Sequence, residues 1–322
     1  MIFAAQSVVS ARNNTFHQGF EGLSGFCSLN KFSPSHVNTK REVMPIDSEM
    51  LATLRDLTAE NNLSDILSLS QTGYSIGAIV ELACVHQRCT PAVQAVLNTW
   101  AKSSPTLGEA FVVFENKKYP SRTSMWSARN LEFFPIAGRN WADPIKYHPF
   151  ESRFCKAAKE AGFGGMADAL TGALFEMADN VVQHSGAGST DARGLIGYYV
   201  CDGHVAFAVG DSGRGVLASL KENPAWAMLS DSKASLLAIV QKSASRRIGL
   251  GEGEGFKQMF RSLVDLNGLV EMHSYDGRIK LMQTPTGREA VSQFIGTWPG
   301  FQLSVNCSLT KSEEKIIVDY LT

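Results

Sequence analysis

The feature that most constrains this fold is a pair of apolar segments joined by Asp202-Gly203. Residues 195–201 and 204–209 are rich in branched and aromatic side chains, and only two residues separate them. An Asp-Gly dipeptide between two such segments is typical of a two-residue β-hairpin turn. The C-terminal half is therefore predicted to contain two adjacent antiparallel strands.

Other elements are predicted around this hairpin. A helix over residues 166–184 is amphipathic, and a further helix is predicted over residues 256–266. A second hairpin is predicted around Asp276-Gly277, followed by a last strand at residues 301–309. Helices segregated from a hairpin-built sheet predict an α+β fold, a two-layer α/β sandwich with a mixed sheet and all helices on one face.

The N-terminal part shows weaker patterns. Residues 1–43 lack periodicity and have few acids, which predicts a disordered tail or a start site placed too early, with translation beginning at Met44. Residues 44–145 are expected to form a smaller α/β module that begins with a helix capped by Asp47 or Ser48. Prolines from Pro105 onward are expected to interrupt β-type segments such as residues 111–114.

A domain boundary is placed near Pro144. The main domain is then expected over residues 146–312, followed by a C-terminal tail over residues 313–322. The role of the N-terminal module is not predicted from its sequence.

Charge and cysteine content limit the classes of partner and location. The chain has 30 Lys and Arg against 31 Asp and Glu, and 44% of its residues are hydrophobic. Strong attraction to nucleic acid or to an anionic membrane is not expected from this balance. The six cysteines form no Cys-x-x-Cys pair, and no apolar run reaches the ~18 residues of a membrane helix. We expect a cytoplasmic protein without a disulfide framework.

The first candidate site is Glu176-Met-Ala-Asp-Asn180 in the predicted helix 166–184. Residues four apart share one face of a helix, so the carboxylate and the amide project side by side. The amide oxygen of Asn180 is a hard ligand that suits Mg²⁺. Glu176 is placed to accept a proton from a nucleophile, and the alternative is an ordinary solvated face.

The second candidate site is Asp211-Ser-Gly213-Arg-Gly215, directly after a predicted strand. A carboxylate there can accept a hydrogen bond from an exocyclic amine such as that of adenine, and the glycines let a flat base approach the backbone. One alternative is a glycine-rich turn. Another is a dinucleotide-binding fingerprint, Gly213-x-Gly215-x-x-Ala218, although a clear crossover helix is missing.

The third candidate site is a run of alternating glycines that leads into the predicted helix 256–266. Backbone N–H groups at such a helix start can bind a phosphate. The glycines of this run are Gly249, Gly251, Gly253 and Gly255.

These three boxes, in this order, resemble the ATP-binding domain of the GHKL superfamily of gyrase, heat-shock chaperone, mismatch-repair and histidine-kinase ATPases. The resemblance covers residues 150–310. It implies ATP and Mg²⁺ as cofactors, Asn180 as the Mg²⁺ ligand, Glu176 as the base or water-orienting residue, and Asp211 as the adenine-reading residue.

The resemblance also assigns the remaining candidate residues. Gly213 and Gly215 would lie beneath the base, and the alternating glycines would cover the phosphates. Residues 216–248 would form a mobile lid with the cations Lys233, Lys242, Arg246 and Arg247. Many histidine kinases carry a basic residue at the position just before His184. His184 itself is expected either to contact a phosphate or to cap the helix.

The segment His86-Gln-Arg-Cys-Thr90-Pro91 is similar to the phospho-acceptor box of sensor kinases. The prolines after residue 105 argue against the second helix of an acceptor hairpin. Three functions therefore stay open. The first is phosphorylation of a protein partner in trans or an ATP-gated switch, the second is a soluble histidine kinase acting through His86, and the third is a nucleotide-binding scaffold without catalysis. The oligomeric state is not predicted.

Overall fold

The structure, a computed structural model, describes residues 44–60, 71–116, 130–138, 143–186, 193–242, 244–245, 263, 268–284 and 287–309. Its elements, in chain order, are β1 (Met44–Ile46), α1 (Ser48–Ala59), β2 (Gln71–Tyr74), α2 (Ile76–Val85), α3 (Pro91–Ser103), α4 (Pro105–Asn116), β3 (Leu131–Ala137), α5 (Pro144–Ala158), α6 (Ala167–His184), β4 (Arg193–Cys201), β5 (His204–Asp211), α7 (Gly215–Leu220), α8 (Ser232–Lys242), β6 (Leu269–Thr284) and β7 (Gly287–Ser308).

The chain is a mixed α+β protein built on a five-stranded sheet with the order β3-β4-β5-β7-β6. All neighbouring strands in this sheet are antiparallel, so the expectation of a mixed sheet is wrong. β1 and β2 form a separate parallel pair. The predicted hairpin at Asp202-Gly203 is confirmed, with Cys201 opposite His204.

The second predicted hairpin is wrong. Asp276-Gly277 lies inside β6, which continues to Thr284 and pairs with β7 along its whole length. The register shifts around Tyr275, whose φ is 51°. β7 has two more residues than β6 between the pairs Ser274–Phe301 and Tyr275–Trp298, and two more again before the pair Gly277–Phe294. The ladder accommodates these extra residues as irregularities, and the chain does not reverse at Asp276-Gly277.

Helices cover both faces of the sheet, which corrects the expectation of helices on one face. Alternate residues of β5 point to opposite sides, with Phe207 in the core under α5 and α6 and Ala208 in the core under α2. All ten residues of α2 are buried. A Cβ built on Gly210 would lie 3.1 Å from Val80 Cγ1, so the small residues of β5 let α2 approach closely.

The expected boundary near Pro144 does not separate two compact units. The residues described between 44 and 309 form one unit, because β3 is an edge strand of the main sheet and α1 to α4 pack on that sheet's second face. The β-type segment expected at residues 111–114 is part of α4. Pro105 is its first residue, and a proline is tolerated there because the first N–H groups of a helix have no partner within the helix.

The predicted helix caps and the amphipathic helix are confirmed. Asp47 caps α1 by accepting hydrogen bonds from Glu49 N and Met50 N. α6 is amphipathic as predicted, and its buried stripe contains Leu170, Leu174, Met177 and Val181. Among the described residues, no helix combines the length and the apolarity needed to cross a bilayer.

Candidate functional site

Glu176 and Asn180 lie on the outer side of α6, where Glu176 is exposed and Asn180 is half-buried. The Nδ2 atom of Asn180 donates a hydrogen bond to the backbone oxygen of Glu176 at 2.8 Å. This bond occupies Nδ2, so Oδ1 is the atom of the amide that can serve as a ligand. An amide oxygen is a hard ligand that suits Mg²⁺.

Asp211 ends β5 and is 5% exposed. Its Oδ1 atom accepts a hydrogen bond from Gly213 N at 2.6 Å. Burial raises the pKa of Asp211 to about 7, although hydrogen bonds from the backbone of Gly213 and Phe301 oppose the rise. A carboxyl group that changes its charge near neutral pH is typical of a functional position.

The loop after Asp211 is attached to the C-terminal end of α6. A Cβ built on Gly213 would lie 2.1 Å from the backbone oxygen of Ser185, so a larger residue does not fit there. Arg214 N donates to the same oxygen at 3.2 Å, and Arg214 Nε donates to the backbone oxygen of His184 at 3.0 Å. The loop of the second box therefore contacts the C-terminal end of α6, the helix that carries the first box.

Gly215 packs on the bulge of β6. Its φ is +72°, and a Cβ built on it would lie 2.6 Å from Tyr275 Cδ2 and 2.8 Å from Ser274 Oγ. Val216 N donates to Ser274 Oγ at 3.0 Å, which anchors the start of α7. Both glycines of the second box are thus required by close packing.

His184 reaches α7. Its Nδ1 atom lies 2.9 Å from Ser219 Oγ, and Ser219 is buried. This contact ties α6 to the segment that follows the second box.

The third box is not part of the described chain, since Gly249, Gly251, Gly253 and Gly255 lie outside the described residues. So do Arg246 and Arg247 and, apart from Leu263, the predicted helix 256–266. Leu263 itself is in the core shared with α5 and α6, on the face of the sheet that carries Phe207. Lys233 lies over the ring of Phe294, 4.2 Å from its centroid.

His86 lies in a short 3₁₀ turn after α2 and is buried. Its Nδ1 atom is 3.1 Å from Glu115 Oε1, and its ring centroid is 4.5 Å from that of Phe111. An acceptor histidine must reach a phosphoryl donor, and burial beneath Phe111 does not favour this role for His86. Burial raises the pKa of the Cys84 thiol well above its ordinary value and that of Cys89 to about 11, so both are neutral thiols at pH 7.

The contact residues of this site had no signal in the sequence. Ser185, Ser274 and Tyr275 contact the two boxes, but no motif marks them. A buried charge cluster of Arg55, Glu81 and His273 behind the site was also missed. Its members are far apart in the chain, so only the tertiary fold brings them together.

Comparison with known proteins adds no assignment. No protein-family model matches this chain, and no curated protein is similar to it in sequence.

Proposed function

We propose that this chain binds ATP with Mg²⁺ at the site between α6 and the loop after β5, as a regulatory protein of the histidine-kinase-like ATPase type. The observation that carries the proposal is the contact of Gly213 with Ser185, because it attaches the loop after Asp211 to the C-terminal end of α6, the helix that carries Asn180. The order of the three boxes along the chain supports the same assignment.

The donor set fits the two cofactors. The Oδ1 atom of Asn180 is a hard oxygen of the kind that Mg²⁺ prefers. Asp211 in its ionised form offers a buried acceptor to the amino group of adenine. Bound Mg-ATP would supply the γ-phosphoryl group, and Glu176 is placed to orient or deprotonate the nucleophile.

The proposed output is phosphorylation of a separate protein or an ATP-gated switch. The burial of His86 and its contacts with Glu115 and Phe111 favour these outputs over a histidine kinase acting in cis. Helices α1 to α4 cover the second face of the sheet. They give the domain an additional layer through which a nucleotide-dependent change can reach a partner.

A calorimetric titration with ATP, ADP and GTP, with and without Mg²⁺, tests the proposal. We expect both adenine nucleotides to bind, GTP to bind at least about tenfold more weakly, and Mg²⁺ to strengthen ATP binding. Absence of ATP binding by the full chain, or equal binding of GTP, would overturn it.

Incubation with γ-labelled ATP separates the outputs. Label only on an added protein partner supports transfer in trans, and hydrolysis or binding without label supports a switch. Acid-labile label on this chain that is lost in His86→Gln would establish the histidine kinase instead.

A further inference from the structure

A row of three side chains crosses three neighbouring strands on the α6 face of the sheet. Phe301 of β7 is paired with Asp211 of β5 on one side and with Ser274 of β6 on the other. Side chains of directly paired residues lie on the same face of an antiparallel sheet, with Cβ atoms about 4.5–5.5 Å apart. This is the face that carries Phe207 under α5 and α6. The side chain of Phe301 therefore lies next to the proposed adenine-reading carboxyl.

Gly300 fixes the position of Phe301 relative to Asp211. The φ of Gly300 is +100°, and a Cβ built on it would lie 2.0 Å from the backbone oxygen of Asp211. Glycine adopts such a backbone conformation at low cost, and it leaves the two strands in contact. The backbone N–H of Phe301 donates a hydrogen bond to the Asp211 carboxyl. Backbone contacts therefore hold Phe301 beside Asp211, whatever the packing of its ring.

The loop of the second box is tied to the sheet on both sides of Phe301. Gly213 N donates to Asp211 Oδ1 at 2.6 Å, and Val216 N donates to Ser274 Oγ at 3.0 Å. Asp211 is in β5 and Ser274 is in β6, and β7 lies between these two strands. Phe301 therefore lies between the two points at which the second box is attached to the sheet.

The side chain of Phe301 has a packed part and an accessible part. It is half-buried and packs against the core on the α6 face. A base that donates its amino group to Asp211 would lie on the same face and would present flat apolar surfaces. Aromatic side chains bind such surfaces favourably, and they do so for every base because each base has a π-face. The position and the chemistry of Phe301 therefore suit contact with a base.

We propose that Phe301 contacts the base of the bound nucleotide while Asp211 reads its amino group. The inference rests on the proposed function and names the part of the nucleotide that this end of the sheet recognises. Phe301 supplies affinity for any base, and Asp211 supplies the preference for adenine. The phosphates are bound independently of Phe301.

The experiment compares calorimetric titrations of the wild type and Phe301→Leu, with Mg-tripolyphosphate as a probe that has phosphates but no base. Leucine keeps an apolar side chain against the core and removes the aromatic ring. We expect the affinities for ATP and GTP to fall by the same factor, about tenfold, because stacking does not distinguish the bases. Binding of Mg-tripolyphosphate should not change. A purely structural role of Phe301 would weaken tripolyphosphate binding as much as ATP binding.

Three further variants complete the design. Phe301→Tyr keeps the ring and should bind ATP within about twofold of the wild type. Phe294→Leu removes a half-exposed ring of β7 that lies under Lys233, and it should change neither ATP nor tripolyphosphate binding. Phe301→Trp adds a fluorophore, whose added emission should change when ATP binds and stay constant when Mg-tripolyphosphate binds.

The outcomes are distinguishable. Absence of ATP binding by the wild type overturns the proposed function and, with it, the inference. If the wild type binds ATP, an unchanged ATP affinity in folded Phe301→Leu overturns the inference alone, and so does an equal loss of ATP and tripolyphosphate binding. If Phe301→Leu does not fold, the emission of Phe301→Trp decides, and no response to bound ATP overturns the inference.

Discussion

Gly213 touches the backbone oxygen of Ser185 so closely that a Cβ on Gly213 would lie 2.1 Å from it. The neighbouring atoms are all backbone atoms of Ser185, so they cannot rotate away. Gly213→Ala must therefore shift the loop or the end of α6, at a cost of about 1–3 kcal/mol in the free energy of unfolding. Urea unfolding and an ATP titration measure the change, and we expect ATP affinity to fall as well.

Gly172→Ala is the matched control for this substitution. Gly172 is exposed in the middle of α6, and nothing lies within 4 Å of a Cβ built there. Alanine should stabilise the helix by about 0.5–1 kcal/mol and leave ATP affinity unchanged. If Gly213→Ala changed the free energy of unfolding and the ATP affinity no differently from Gly172→Ala, the contact between the loop and α6 would be needed neither for stability nor for ATP binding.

Features with a local cause were predictable from the sequence. The hairpin at Asp202-Gly203 and the helix α6 follow from turn chemistry and from helical periodicity. Asp276-Gly277 carries the same turn signal but lies in a strand, because pairing with β7 and packing of Gly277 on Lys233 decide its conformation. Residues 111–114 are helical because α4 packs in the core with α2.

The same distinction between local features and long-range contacts applies to the candidate site. Asp211 and the two glycines after it form a contiguous motif, so the motif could be recognised from the sequence alone. The bond from Val216 to Ser274 spans 58 residues, and that between His273 and Glu81 spans 192. Nothing in the local sequence predicts such pairs, since only the tertiary fold brings their members together.

Asp211→Asn should stabilise the nucleotide-free protein in a pH-dependent way. Burial raises the pKa of Asp211 from 3.8 to about 7, so the folded state binds a proton that the unfolded state releases between about pH 4 and pH 7. Stability therefore falls as the pH rises through this window. Asparagine does not ionise, and the free energy of unfolding should rise by up to about 4 kcal/mol at pH 8 and hardly change at pH 4.

The same variant should lose ATP affinity by about ten- to hundredfold, because an amide cannot replace the charge-assisted acceptor. Asp202→Asn, in the exposed hairpin turn, should change neither quantity. Equal stabilisation by Asp211→Asn at pH 4 and pH 8 would show that its carboxyl does not titrate in this range.

Glu176→Gln should separate binding from chemistry. Glu176 is exposed on α6, so its replacement should change the free energy of unfolding by less than about 0.5 kcal/mol. We expect ATP affinity within about twofold of the wild type and a loss of hydrolysis or phosphoryl transfer of about 10²-fold or more. A single-turnover assay with labelled ATP measures the rate for Glu176→Gln. Asn180→Ala, in contrast, should remove the Mg²⁺ dependence of ATP binding. Unchanged turnover in Glu176→Gln would show that Glu176 is not the catalytic base, and absence of turnover in the wild type would favour a scaffold without catalysis.

Arg55→Met should be the most destabilising of these substitutions. Arg55 pairs with Glu81, donates to the backbone oxygen of Tyr275 at 2.7 Å, and lies 5.1 Å from the ring centroid of Trp298. Its removal leaves the ionised Glu81 buried with a weaker set of partners, which costs about 3–5 kcal/mol. Lys156→Met, in an ion pair with Glu160 whose side chains are 75% and 61% exposed, should cost less than about 0.5 kcal/mol. Urea unfolding of both variants at pH 7 measures the difference, and equal values would show that the buried pair between α1 and α2 contributes no more than an exposed one.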